Sequence, residues 1–162
     1  MERNVSKDRE FQRRFNAFYR VRRGKRWQKS FYGILQHEKS RNPDFRKVLL
    51  DLQKKTKRVE TSFASKLVAT INPRLPIIDR VVLKNIREMG NPEIKLPYPK
   101  AKNRLDRIIE LHKRLEKLFN DFLRTSEGKY LIIRNMKKLN ADLKKEYIMK
   151  IGVKGVTRLY CL

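Results

Sequence analysis

Residues 62–86, SFASKLVATINPRLPIIDRVVLKNI, hold two apolar runs on either side of a proline-marked turn. In the first, Phe63, Ala64, Leu67, Val68 and Ile71 recur at the period that lines one face of an α-helix. Ser62 is suited to cap its start. Asn72–Pro73 ends it, since proline pushes the preceding residue out of helical backbone. An extended approach through Ile77 and Ile78 reaches Asp79, a second cap residue. Val82, Leu83, Ile86 and Met89 then resume the helical period up to Gly90. The stretch predicts helix, turn, helix. From Lys66 to Asn72 the first helix climbs ~9 Å, while the chain from Asn72 to Asp79 can reach up to ~23 Å. Asp79 can therefore return to the level of Lys66 and face it across one cleft.

Outward from this stretch the period stays helical. Phe11, Phe15 and Phe18 mark a first helix; Trp27, Phe31, Ile34 and Leu35 mark a second, after the breaker Gly24. A third runs from about Pro43, with Asn42 as its cap, through Phe45, Val48, Leu49 and Leu52. GNPEIKLPYPK, residues 90–100, carries three prolines and excludes a regular helix. Beyond it a long amphipathic helix runs through Leu105, Ile108, Ile109, Leu115, Leu118, Phe119, Phe122 and Leu123. A break follows near Ser126 to Gly128, then another helix through Ile132, Ile133, Met136, Leu139 and Leu143. The tail from Tyr147 is apolar enough to pack back on the body. No alternation of strand type and no internal repeat is present. The expected fold is an all-α, single-domain helical bundle, 162 residues being enough for one core.

Lys and Arg number 42 against 17 Asp and Glu, a formal net charge of +25, on a chain whose hydrophobic fraction of 40% is that of a globular protein. So dense a positive field attracts polyanions, and nucleic acid, with duplex DNA foremost, is the partner it favours. Two clusters stand out. YRVRRGKRWQK interleaves Arg22, Arg23, Lys25 and Arg26 with Tyr19 and Trp27, and KKTKR supplies Lys54, Lys55, Lys57 and Arg58. Guanidinium groups make forked phosphate contacts and exposed rings stack on bases. A solvated helix end is the alternative for each cluster, over which phosphate contact is preferred, whereas Trp27 reads better as core. No apolar run has membrane-spanning length and no secretory signal opens the chain, so no membrane partner is expected. One cysteine, Cys161, and two histidines, His37 and His112, make a metal site improbable and fit a reducing, cytoplasmic setting. No cofactor is expected.

The focal residues resemble the core of the helix-hairpin-helix DNA glycosylase superfamily, in particular its 8-oxoguanine glycosylase type. They resemble more closely the small bacterial proteins described as having an 8-oxoguanine glycosylase fold. SFASKLVA lies over the family's hairpin and the start of its next helix, Lys66 over the catalytic lysine, and PIID over the proline-hydrophobic-x-aspartate element ending at Asp79. The resemblance covers about 25 residues. It implies a segment 61–90 as glycosylase-like core between basic N-terminal helices (1–60) and C-terminal helices (91–162). It implies phosphate contact from Ser62 and Ser65, although Ser62 and Ala64 stand where the family's hairpin has glycines. It implies a mechanism too. A base is flipped out of the stack, the neutral Lys66 amine attacks C1′ of its sugar, and ionised Asp79 stabilises the developing positive charge. Lys66 would then need desolvation by Phe63 and Leu67, or nearby cations, to lose its proton. Two alternatives stay open: a non-catalytic nucleic-acid-binding protein on the same scaffold, and a regulatory or structural partner of an acidic protein. His37 with Glu38, Glu60, Glu93, Tyr98 and His112 are weaker candidates. Tyr98 can stack on a base or anchor its loop.

Overall fold

The structure is a computed structural model that describes residues 4–138. Leu139, Leu143, the tail from Tyr147 and Cys161 lie outside the described residues, as do the side chains of Ile132, Ile133 and Met136. Every regular element among the described residues is an α-helix, as the periodicity predicts. None of these helices is long and apolar enough to cross a membrane. The chain forms two compact units that divide between Glu60 and Thr61. A single domain is the sequence expectation; no linker composition marks this division.

The first unit holds α1 (Arg9–Phe18), α2 (Lys25–Glu38) and α3 (Phe45–Thr56). Asp8 caps α1, its Oδ1 accepting from the Phe11 amide at 2.9 Å. The inward row of this helix is Phe11, Phe15 and Tyr19, one residue every turn. Phe18 is 57% exposed and lies outside it, against the expectation from spacing. Phe15 sits within 4.7–5.9 Å of four rings: Tyr19, Phe31, Tyr32 and Phe11. With Ile34, Leu35, Val48, Leu49 and Leu52 these residues make the core, each large apolar side chain stabilising by about 1.5–3 kcal/mol. The buried Tyr32 hydroxyl donates to Asn16 Oδ1 at 2.7 Å, and burial holds its pKa well above the usual phenol range. Asp44, not Asn42, caps α3: its Oδ1 accepts from Arg46 N at 2.8 Å, and the helix starts at Phe45. Pro43 therefore precedes the helix instead of opening it.

At the end of α1 the Arg20 and Val21 amides donate to the carbonyls of Ala17 and Asn16. This closing pattern places one residue in left-handed backbone, where glycine is the usual occupant. Here it is Arg20, with φ at +50°. The same pattern ends the helix Arg80–Glu88, with Gly90 (φ +91°) in that place and Asn91 reaching back to Ile86.

The second unit holds α4 (Thr61–Ile71), α5 (Arg80–Glu88), α6 (Arg104–Arg124) and α7 (Ser126–Lys138). Its described core includes Leu67, Val68, Ile78, Leu83, Ile94, Ile108 and Leu115. Since α4 begins at Thr61, Ser62 lies inside the first turn and is not the cap. Asn72 ends α4 as expected, its Oδ1 accepting from Arg74 N to shape the turn. The expected break at Ser126 to Gly128 contracts to Thr125 alone. Its hydroxyl donates to the Phe122 carbonyl and accepts from Gly128 N, closing α6 and opening α7 in one residue. A Cβ at Gly128 would collide with the Phe122 carbonyl oxygen, so glycine is required there by close approach.

Candidate nucleic-acid interface

The cations of the first unit divide by what their helices need from them. At the end of α3, Lys54 and Lys55 sit in the last turn, with Lys57 and Arg58 just beyond, all exposed. Positive charge there is favoured by the helix dipole itself, so half of this cluster has a structural reason. The start of α2 is the opposite case. Gly24 supplies no side-chain cap, no acidic residue lies in the first turn, and Lys25 and Arg26 occupy it, both exposed. Uncapped amides and first-turn cations raise the positive potential together, an arrangement that costs helix stability and favours an anion. Arg22, also exposed, precedes them.

Arg23 has a different task. Its guanidinium donates to Glu60 Oε2 at 3.0 Å and lies over the Trp27 ring, 5.9 Å from its centroid. Trp27 donates its indole N–H to Glu60 Oε1 at 3.2 Å and stacks on Phe31 at 5.1 Å. Glu60, with only 7% of its side chain exposed, therefore ties together two members of the aromatic–basic stretch. Arg23 and Trp27 thus hold up the surface on which Arg22, Lys25 and Arg26 stand. A second buried acid, Glu38, closes α2 onto α3. Its Oε1 accepts from Lys47 Nζ and from His37 Nδ1, each at 2.7 Å.

In the second unit the chain does double back after Pro73. Ser65, fully buried, accepts from the Ile78 amide at 2.9 Å and donates to the Ser62 carbonyl at 2.9 Å. The bond brings Ile78 to the level of Ser65, one residue short of Asp79 on one side and of Lys66 on the other. The Ser65 hydroxyl is committed to this joint and buried from solvent, while Ser62 is half-buried in the first turn of α4. Lys66 is half-buried, with its Nζ 5.6 Å from the centroid of Phe63. Asp79 caps α5 as predicted, a single oxygen, Oδ1, accepting from Val81 N and Val82 N at 3.0 Å each.

Two hollows lie elsewhere in this unit. A cleft of about 460 Å³ on α5 is lined by Arg80, Lys84, Arg87 and Glu88, and an open groove of about 850 Å³ runs between the proline loop and α6. Neither is lined by Lys66 or Asp79. The α5 row of cations was legible at i, i+4 and i+7 spacing in RVVLKNIR, where the apolar residues draw the eye instead. His112 is buried in α6. Compared with known protein families, with curated proteins and with solved structures, the chain matches none.

Proposed function

We propose that the protein binds nucleic acid, duplex DNA foremost, through phosphate contacts from the exposed cations of its first unit. The observation that carries this reading is the start of α2, where an uncapped helix end and Arg22, Lys25 and Arg26 concentrate positive charge at a cost to the helix. Phosphate is the anion that repeats along a polymer, and a net charge of +25 suits a polymer better than a single ion. Replacing Arg22, Lys25 and Arg26 together by alanine should weaken duplex binding and lower the slope of log affinity against log salt by about one for each lost phosphate contact. Filter binding or fluorescence anisotropy across a salt series reads both. A shallow wild-type slope would point instead to an acidic protein partner.

A second reading, base excision at Lys66, is favoured by the Ser65–Ile78 hydrogen bond, which returns the chain towards α4. In this reading the Lys66 amine attacks C1′ and the glycosidic bond breaks with its electron pair going to the base, which takes one amine proton. The C1′–O4′ bond then opens, O4′ takes the other proton, and a Schiff base joins lysine and sugar. Asp79 caps α5 through Oδ1, and in this reading its other carboxylate oxygen stabilises the sugar cation. Borohydride should then trap a covalent adduct on DNA carrying an abasic site or 8-oxoguanine, and Lys66→Ala should abolish it. Asp79→Ala should reduce trapping and cost about 1 kcal/mol of stability through the lost cap. No adduct with wild type, or equal trapping by Lys66→Ala, removes this reading and leaves binding alone.

A further inference from the structure

The loop 90–103 carries one buried anchor, Ile94, and one side chain turned fully the other way: Tyr98, 79% exposed. Ile94 and not Tyr98 therefore fastens the loop. The tyrosine is also held stiffly. Pro97 and Pro99 flank it, fixing backbone angles on both sides, and the Ala101 amide donates to the Tyr98 carbonyl at 3.0 Å to close a turn with proline in its second place. A rigid backbone presents the ring with little ordering left to be lost on binding.

Tyr98 lines the groove of about 850 Å³ beside α6, where Lys95, Lys102, Arg107 and Arg114 share the walls with Glu93, Asp106 and Glu110, Arg114 and Glu110 being paired at 3.3 Å. A bare phosphate seated among those three carboxylates would be repelled by them. A nucleobase is not, since its edge offers both hydrogen-bond donors and acceptors, and its face stacks on an aromatic ring. Lys95, Lys102 and Arg107 suit the phosphates on either side of such a base.

We propose that this groove holds an unstacked nucleobase of a single strand on the face of Tyr98, making the second unit a single-strand contact. The proposal rests on the nucleic-acid reading above and adds to the duplex contact of the first unit a single-strand contact in the second. A duplex keeps its base faces covered by their neighbours, whereas a single strand exposes them at small cost.

The test uses the full chain and three probes: a single-stranded DNA oligonucleotide carrying one 2-aminopurine, its blunt-ended duplex, and free 2-aminopurine deoxynucleoside monophosphate. Binding to the single strand should quench the 2-aminopurine fluorescence. Tyr98→Ala should abolish the quenching and weaken single-strand affinity by about tenfold, with duplex affinity and unfolding midpoint unchanged; Tyr98→Trp should restore both signals. Equal single-strand affinity for wild type and Tyr98→Ala overturns the proposal. So does an equal loss on the duplex, or tighter binding of the free nucleotide than of the strand. If Arg22, Lys25 and Arg26 variants lose duplex binding while Tyr98→Ala changes nothing, the groove is rejected and phosphate binding by the first unit stands. A wild-type protein that binds none of the probes rejects both.

Discussion

Glu60→Ala should destabilise the first unit by about 3 kcal/mol, which a urea titration followed by Trp27 fluorescence would register as a lower midpoint with an unchanged slope. The size follows from what the substitution leaves behind. Glu60 has 7% of its side chain exposed and accepts from both Arg23 and the Trp27 indole. Alanine would strand a guanidinium that is only 32% exposed and an indole N–H beneath it. Removing one member of a buried pair costs about 3–5 kcal/mol, and the partial exposure of Arg23 argues for the lower end. Trp27 is the only tryptophan in the chain, so the signal reports this unit at the altered site. Glu60→Gln, which keeps one acceptor, should lose less. If alanine and glutamine variants both match wild type, the Glu60 network is surface decoration and Arg23 returns to the list of phosphate contacts.

That experiment also separates two roles that look alike along the chain. YRVRRGKR offers a run of basic residues whose chemistry is uniform on paper. One partner, 37 residues away in sequence, withdraws Arg23 from the surface. A buried carboxylate at such a distance leaves no periodic trace, so Glu60 could not be singled out by spacing. The pairing of Glu38 was legible only in part: its partner His37 is adjacent, but Lys47 arrives only when α3 folds against α2.

Helices were legible because each buries one face, and burial writes its period into the residues directly. Their ends were less so. In NPDF, Asn42 and Asp44 are both competent caps, and the later one is used, between the buried Pro43 and Phe45. Phe18 and Tyr19 compete in the same way at the end of α1. An aromatic every fourth residue packs more directly beneath the α2 rings than one at the third, so Tyr19 turns inward. At the focal stretch, the return of the chain after Pro73 was readable from lengths alone, and Asp79 from its place before an apolar run. Ser65 was not. Nothing in SFAS distinguishes a hydroxyl that meets phosphate from one that meets the Ile78 amide, because both demand a small polar residue on a helix.

Glu38→Gln should cost about 2 kcal/mol at neutral pH, and the difference from wild type should shrink as the solution is acidified below pH ~4. The Glu38 carboxylate, with 2% of its side chain exposed, is pushed upward in pKa by burial. Hydrogen bonds and charge from Lys47 and His37 more than offset that, so its pKa lies below the ordinary carboxylate value. A carboxyl whose folded pKa is depressed binds its proton more readily in the unfolded chain. Its stabilisation is therefore complete above the unfolded pKa, near ~4.3, and is lost as pH falls through the lower folded value. Glutamine keeps the shape and abolishes the titration. Lys47, with 44% of its side chain exposed, can turn to water when its partner's charge is gone, which keeps the cost below that of Glu60→Ala. Urea midpoints for both proteins between pH 7 and pH 3 decide the matter. Convergence at low pH assigns the joint between α2 and α3 to the ionised carboxylate. A gap that stays constant down to pH 3 would assign it to packing and hydrogen-bond geometry, with the charge of Glu38 contributing nothing.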